Sequence, residues 1–172
     1  MVESRVDAGL APGTTGFMLS IGASAGIVLR LTFGLRMDST RLLPFRVAGA
    51  TVLIGAAGMV LLGVRASGVH IVATVIAFGG GWVWPVFTNF GIVRTNCDAS
   101  GAATGVTQMG VYVGVFSAPL LTGFMIEEFG YRPMWIVVAI SAVVGAAVAF
   151  RIAPRFPPVP AVEPSTREWL TS

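Results

Sequence analysis

The chain has 172 residues, of which 55% are hydrophobic and 11% charged, and its mean hydropathy is +0.83. A soluble domain carries about 25% charged residues, so neither a soluble enzyme nor a nucleic-acid-binding module is expected. The formal net charge of +3 comes from scattered arginines, with no lysine and no basic cluster. One cysteine, Cys97, and one histidine, His70, argue against a disulfide framework and against multi-cysteine or two-histidine metal sites.

A bilayer core of ~30 Å requires about 20 mostly apolar residues as helix. Five stretches meet this, at about 14–35, 44–64, 70–93, 101–126 and 134–152. They predict an all-α integral membrane protein, a five-span transmembrane helix bundle over 14–152. Residues 1–13 form an extracytoplasmic segment in this reading. MVESRVD mixes charges of both signs, so it is not a cleavable signal peptide.

Span one carries Ser20, Ser24, Arg30 and Thr32, and a stripe at every fourth residue: Gly22, Gly26, Arg30, Gly34, Asp38. Arg30 has two readings: a charge on a solute or gating path, or an arginine that snorkels or binds backbone carbonyls. Span two has Thr51 as its single interior polar residue and is expected at the lipid-facing periphery. Span three contains Gly79, Gly80, Gly81, Trp82, Val83, Trp84 and Pro85. Three glycines and a proline weaken a helix at mid-span. Such breaks are tolerated where protein or a water cavity covers the freed backbone groups.

Span four places Thr104, Gln108 and Tyr112 on one stripe, which reads either as a hydrated path or as interhelical hydrogen bonding. Its pairs Gly101/Gly105 and Gly110/Gly114 permit close helix contact, and Pro119 predicts a kink. Span five has Ser141 as its single interior polar residue and is expected to be peripheral like span two. Residues 153–172 include Pro154, Pro157, Pro158, Pro160 and Pro164 and read as an extended, water-exposed tail.

Arginine counting sets orientation. Five alternating spans put Arg36, Arg41, Arg46, Arg94, Arg151, Arg155 and Arg167 on one side, with Arg5, Arg65 and Arg132 on the other. The first group is therefore assigned to the cytoplasm. The expectation is a multi-pass cell-membrane protein with its N-terminus outside and its C-terminus inside.

These residues bring a family into view. The run GLAPGTTGFMLSIGASAGIVLRLTFGLRMD, then GWVWPVFTNFGIVR, then GAATGVTQMGVYVGVFSAPLLTGFMIEEFGYRPMW resembles the C-terminal half of a major facilitator superfamily transporter. Spans one to five would match helices eight to twelve. The internal repeat also allows a match to helices two to six. The carriers of the resemblance are Gly101, Gly105, Gly110, Gly114, Pro119, Gly123, Gly130 and Arg132. Gly34, Asp38 and Arg41 fit the family's loop motif, although Ser39 stands where an arginine usually follows the aspartate.

The resemblance implies a secondary transporter of a small solute, with spans one and four lining a cavity. Spans three and four are faintly similar to carriers of small anions. A transporter of this kind needs two halves, so the expected partners are the bilayer, a small solute and a complementary N-terminal half, with no nucleic acid. The chain is then a truncated gene product, a fragment, or a half that assembles with another polypeptide.

The substrate-path candidates are Ser20, Ser24, Arg30, Trp84, Asn89, Thr104, Gln108 and Tyr112. No catalytic residue, metal ligand or cofactor is assigned, and no enzyme is expected. A non-transport membrane protein, an anchor or assembly partner, is the alternative.

Overall fold

Pro44 opens a helix on which three of the others pack. The computed structural model describes residues 12–37, 43–64 and 67–156, and every element in it is helical. In chain order these are α1 (Pro12–Met37), α2 (Pro44–Leu62), α3 (Ser67–Gly81), α4 (Trp84–Thr95), α5 (Ser100–Phe129) and α6 (Tyr131–Ile152). Single 3-10 turns lie at Cys97–Ala99 and Ala153–Arg155. Among the described residues four segments are long and apolar enough to cross a membrane: Pro44–Leu62, Val72–Thr95, Cys97–Phe129 and Tyr131–Arg155. Within α1 the apolar stretch is shorter, Ser20–Leu35.

Local chemistry explains the boundaries. Leu43 is extended before Pro44, and proline suits a first helical turn because its missing N–H has no partner there anyway. The weak point of span three is a true interruption: α3 stops at Gly81, and α4 restarts at Trp84 with Pro85 in its first turn. Between α5 and α6 the chain reverses at Gly130, whose φ of +80° suits a residue without Cβ. Its N–H bonds the Ile126 carbonyl at 3.0 Å. Pro119 sits inside an uninterrupted α5.

Span two is not peripheral. Helix α2 packs along α3 and α6 and also meets α4. Its glycines make this possible. A Cβ at Gly58 would lie 2.5 Å from the Ala77 nitrogen, and one at Gly55 would lie 2.6 Å from the Gly81 nitrogen. Gly49 faces the ring of Phe150 on α6, which would stand 3.0 Å from an added Cβ. Close backbone approach drives helix association in apolar surroundings better than polar side chains do. Helix α6 is likewise more central than its apolar interior suggests, burying Met134, Trp135, Ala139 and Ala146.

Span four is the peripheral element. Helix α5 has no fully buried residue, and nothing lies within 4 Å of a Cβ built at Gly101, Gly105, Gly110 or Gly114. The small-residue pairs expected to mediate contact meet no neighbour among the described residues. The stripe of α1 behaves as expected of a packing seam. Gly22 faces Thr74 and Phe78, Gly26 faces the Phe78 carbonyl, and Gly34 meets nothing within 4 Å.

Three buried clusters hold the bundle: Leu62, Ala73, Ala77, Met134 and Trp135; Ala48, Val83 and Phe87; and Phe45, Ile92 and Ala153. The last one corrects the reading of the tail. Residues 153–156 fold back onto the start of α2, with the Phe156 ring 4.2 Å from that of Phe45. The remaining tail lies outside the described residues. Phe45→Ala is expected to cost about 3 kcal/mol by emptying a core site. Phe156→Ala should cost only about 1 kcal/mol, the scale of a ring pair. Thermal unfolding of the purified variants in detergent measures both.

Candidate functional site

The site begins at the break between α3 and α4. In an unbroken helix the Val86 N–H would bond the Trp82 carbonyl, four residues back. Here it bonds Val83 at 3.1 Å instead. The Trp82 carbonyl is thus released from the ladder. Arg30 supplies a donor: its Nε donates to the Trp82 oxygen at 2.7 Å. The guanidinium carbon also lies 5.5 Å from the centroid of the Trp82 ring, within cation–π range. Phe78, one turn before, stacks on Trp82 at 5.9 Å and 17°.

Arg30, Trp82 and Phe78 line a cleft of about 450 Å³ together with Ala23, Gly26 and Ile27. Among the described residues no carboxylate pairs with Arg30 and no other hydrogen bond to its guanidinium is present. The carbonyl-binding reading of Arg30 describes its Nε, while its terminal amino groups remain available.

A second cleft, of about 420 Å³, lies among α2, α4, α5 and α6, and Trp84, Thr88, Thr107 and Met59 are among its walls. Its two threonines are turned onto their own helices. Thr88 donates to the Trp84 and Pro85 carbonyls, each at 3.2 Å, and Thr107 to Ala103 at 2.8 Å. That leaves a nearly apolar space. Trp84 also packs on the buried cluster of Ala48, Val83 and Phe87.

The other candidates are dispersed. Ser20 is exposed on α1 and bonds the Gly16 carbonyl at 3.1 Å. Ser24 is exposed and Asn89 half-buried. On α5, Thr104 and Gln108 are half-buried and Tyr112 is 68% exposed. Thr104 donates to Ser100 within its own helix at 2.7 Å. Ser24, Asn89, Gln108 and Tyr112 have no hydrogen-bond partner among the described residues. Helices α1 and α5 are not a packed pair, so their polar residues do not converge within this bundle. Asp38 and Arg41 lie outside the described residues.

Trp82 and Phe78 were absent from the candidates, yet they complete the environment of Arg30. The signal was present: a glycine–proline break releases a carbonyl, and an arginine inside a neighbouring span is a donor able to take it. Among the described residues no three metal-ligating side chains come together.

Comparison with known protein families, with curated proteins and with solved structures finds no match to this chain.

Proposed function

We propose that the chain is a membrane-embedded helical part of a secondary transporter for a small solute, of the major facilitator kind. In this reading the exposed faces of α1 and α5 meet a complementary set of helices, and the solute path runs between the two. The observation that carries it is on α5. The hydroxyls of Thr104, Thr107, Ser117 and Thr122 all close onto carbonyls of their own helix, which satisfies them even in lipid. The Gln108 amide and the Tyr112 phenol, on one stripe of the same helix, have no such partner among the described residues. Polar groups of this kind are costly against hydrocarbon and mark water or protein surfaces. The broken span between α3 and α4 supports the same reading, because discontinuous helices near the midplane serve moving carriers. The resemblance to helices eight to twelve of the family adds to it, as does the arginine asymmetry for a cytoplasmic C-terminus.

Cysteine labelling in cells tests this. With Cys97 replaced by serine, Gln108→Cys and Tyr112→Cys are expected to react with a water-soluble maleimide. Val144→Cys, on an exposed apolar position of α6, should not. Unreactive cysteines at both α5 positions would favour a bundle without a hydrated path, an anchor or assembly partner. In the unaltered chain the exposed Cys97 should react with an impermeant maleimide only after the membrane is opened. Labelling in intact cells reverses the proposed orientation.

A further inference from the structure

Arg30 carries more hydrogen-bonding capacity than the break uses. Its Nε is committed to the Trp82 carbonyl and one face of its guanidinium lies against the Trp82 indole. Its terminal amino groups have no partner among the described residues, and no carboxylate there balances its charge. The Trp82 carbonyl fixes the depth of this charge. The apolar segment Val72–Thr95 has Trp82 near its middle, about 15 to 20 Å from either end at 1.5 Å per residue. On the membrane reading, Arg30 is tethered near mid-bilayer instead of reaching for the headgroups. An unbalanced charge there is expensive unless an anion or water meets it.

The cleft beside it has the matching shape. Its walls are a guanidinium at one side and Phe78, Trp82, Ile27, Ala23 and Gly26 around the remainder, enclosing about 450 Å³. A guanidinium edge pairs with planar oxyanions through two parallel hydrogen bonds, and stacked aromatic rings favour a flat apolar body. We propose that this cleft binds a small organic oxyanion, its carboxylate or similar head on the terminal amino groups of Arg30 and its apolar body against Trp82 and Phe78. The head could come from a free solute or from a lipid phosphate. The depth of Trp82 favours the solute, because lipid headgroups lie at the bilayer surface. The proposal assigns a ligand class to the transport reading and rests on it for the depth argument. Its test is a binding measurement on α1 and α3, independent of the labelling of α5.

The full-length chain is reconstituted in phosphatidylcholine nanodiscs and titrated with benzoate by saturation-transfer NMR, with benzyl alcohol and empty nanodiscs as controls. Saturable benzoate binding is expected. Arg30→Gln keeps a donor for the Trp82 carbonyl but removes the charge, and should weaken benzoate at least ~10-fold, the scale of a charge-assisted bond. It should leave benzyl alcohol unchanged. Ala23→Phe, at an exposed position on the cleft wall, should abolish binding while Arg30 keeps its bond. Nanodiscs containing phosphatidylglycerol should bind benzoate equally well. Wild-type affinity in folded Arg30→Gln overturns the proposal. If Arg30→Gln does not fold, Ala23→Phe decides, and wild-type benzoate affinity there overturns it. Loss of benzoate binding only in phosphatidylglycerol assigns the cleft to a lipid phosphate and overturns the solute reading.

Discussion

Gly55→Ala is expected to disrupt the bundle, although it adds a single methyl group. The new Cβ would overlap Cα of Gly81 and stand 2.6 Å from its nitrogen. Gly58→Ala meets the same obstacle, with the Ala77 nitrogen at 2.5 Å and its Cα at 2.8 Å. The obstacles are backbone atoms, which cannot rotate away as a side chain can. Helices α2 and α3 must separate, and with them the seam that places α2 between α3 and α6. A cost of about 3 kcal/mol or more is expected, the upper range for overpacking. Gly105→Ala and Gly114→Ala supply the contrast, since nothing lies within 4 Å of either new methyl. They should be neutral or stabilise by up to about 1 kcal/mol through helix propensity. Unfolding in a mixed-micelle denaturant series separates the two pairs. Equal midpoints for Gly55→Ala and Gly114→Ala would refute the glycine seam.

Arg30→Ala should have the second largest effect. It removes a charged donor from the Trp82 carbonyl and the cation from the indole face. A hydrogen bond to a charged group contributes about 1.5 to 3 kcal/mol, and the released carbonyl adds its own cost when left without a donor. A loss of about 2 to 3 kcal/mol is expected. Arg30→Gln, whose amide can still donate, should recover roughly half. The same unfolding series measures both. If Arg30→Ala unfolds at the wild-type midpoint, the arginine does not hold the break.

The positions of the helices were legible in the sequence, and their arrangement was only partly so. Composition alone placed spans two and four within three residues of α2 and α5 at each end. The run from Gly79 to Pro85 located the interruption that occurs at Trp82 and Val83, because glycine and proline act locally and need no partner. The stripe Gly22, Gly26, Arg30 on α1 is a contact face toward Thr74, Phe78 and Trp82, which its spacing alone does not reveal. Spans two and five are not the peripheral helices that their few polar residues suggest. Polar residues were counted as evidence of a protein-facing helix. Yet Thr104, Ser117 and Thr122 bond their own helix carbonyls, so they make no demand on a neighbour. Helix α2 becomes central through what it lacks, side-chain bulk at Gly49, Gly55 and Gly58. The pairs Gly101/Gly105 and Gly110/Gly114 have the same spacing logic on α5 without a facing helix. Spacing states what a face permits, and only the opposing surface states whether contact forms. The pairing of Arg30 with Trp82 was harder still, because it joins two residues 52 apart.

That separation bears on how the chain is made. Translation delivers Arg30 long before the carbonyl it will hold. If the bundle enters a bilayer, the first span arrives with an unmatched positive charge, which insertion scales place at about +2.5 to +3.5 kcal/mol near a helix centre. The third span later arrives with the Trp82 carbonyl, which the Val86 N–H has left by bonding Val83. The bond between them gives the carbonyl a donor and the guanidinium one acceptor, so each helix is better tolerated in lipid once both are present. On that condition, commitment to the membrane is expected to be a joint act of α1 and the α3–α4 pair. A nascent chain stopped at Val69 should integrate its first span less completely than one extended past Thr95, as read by glycosylation or protease protection during synthesis.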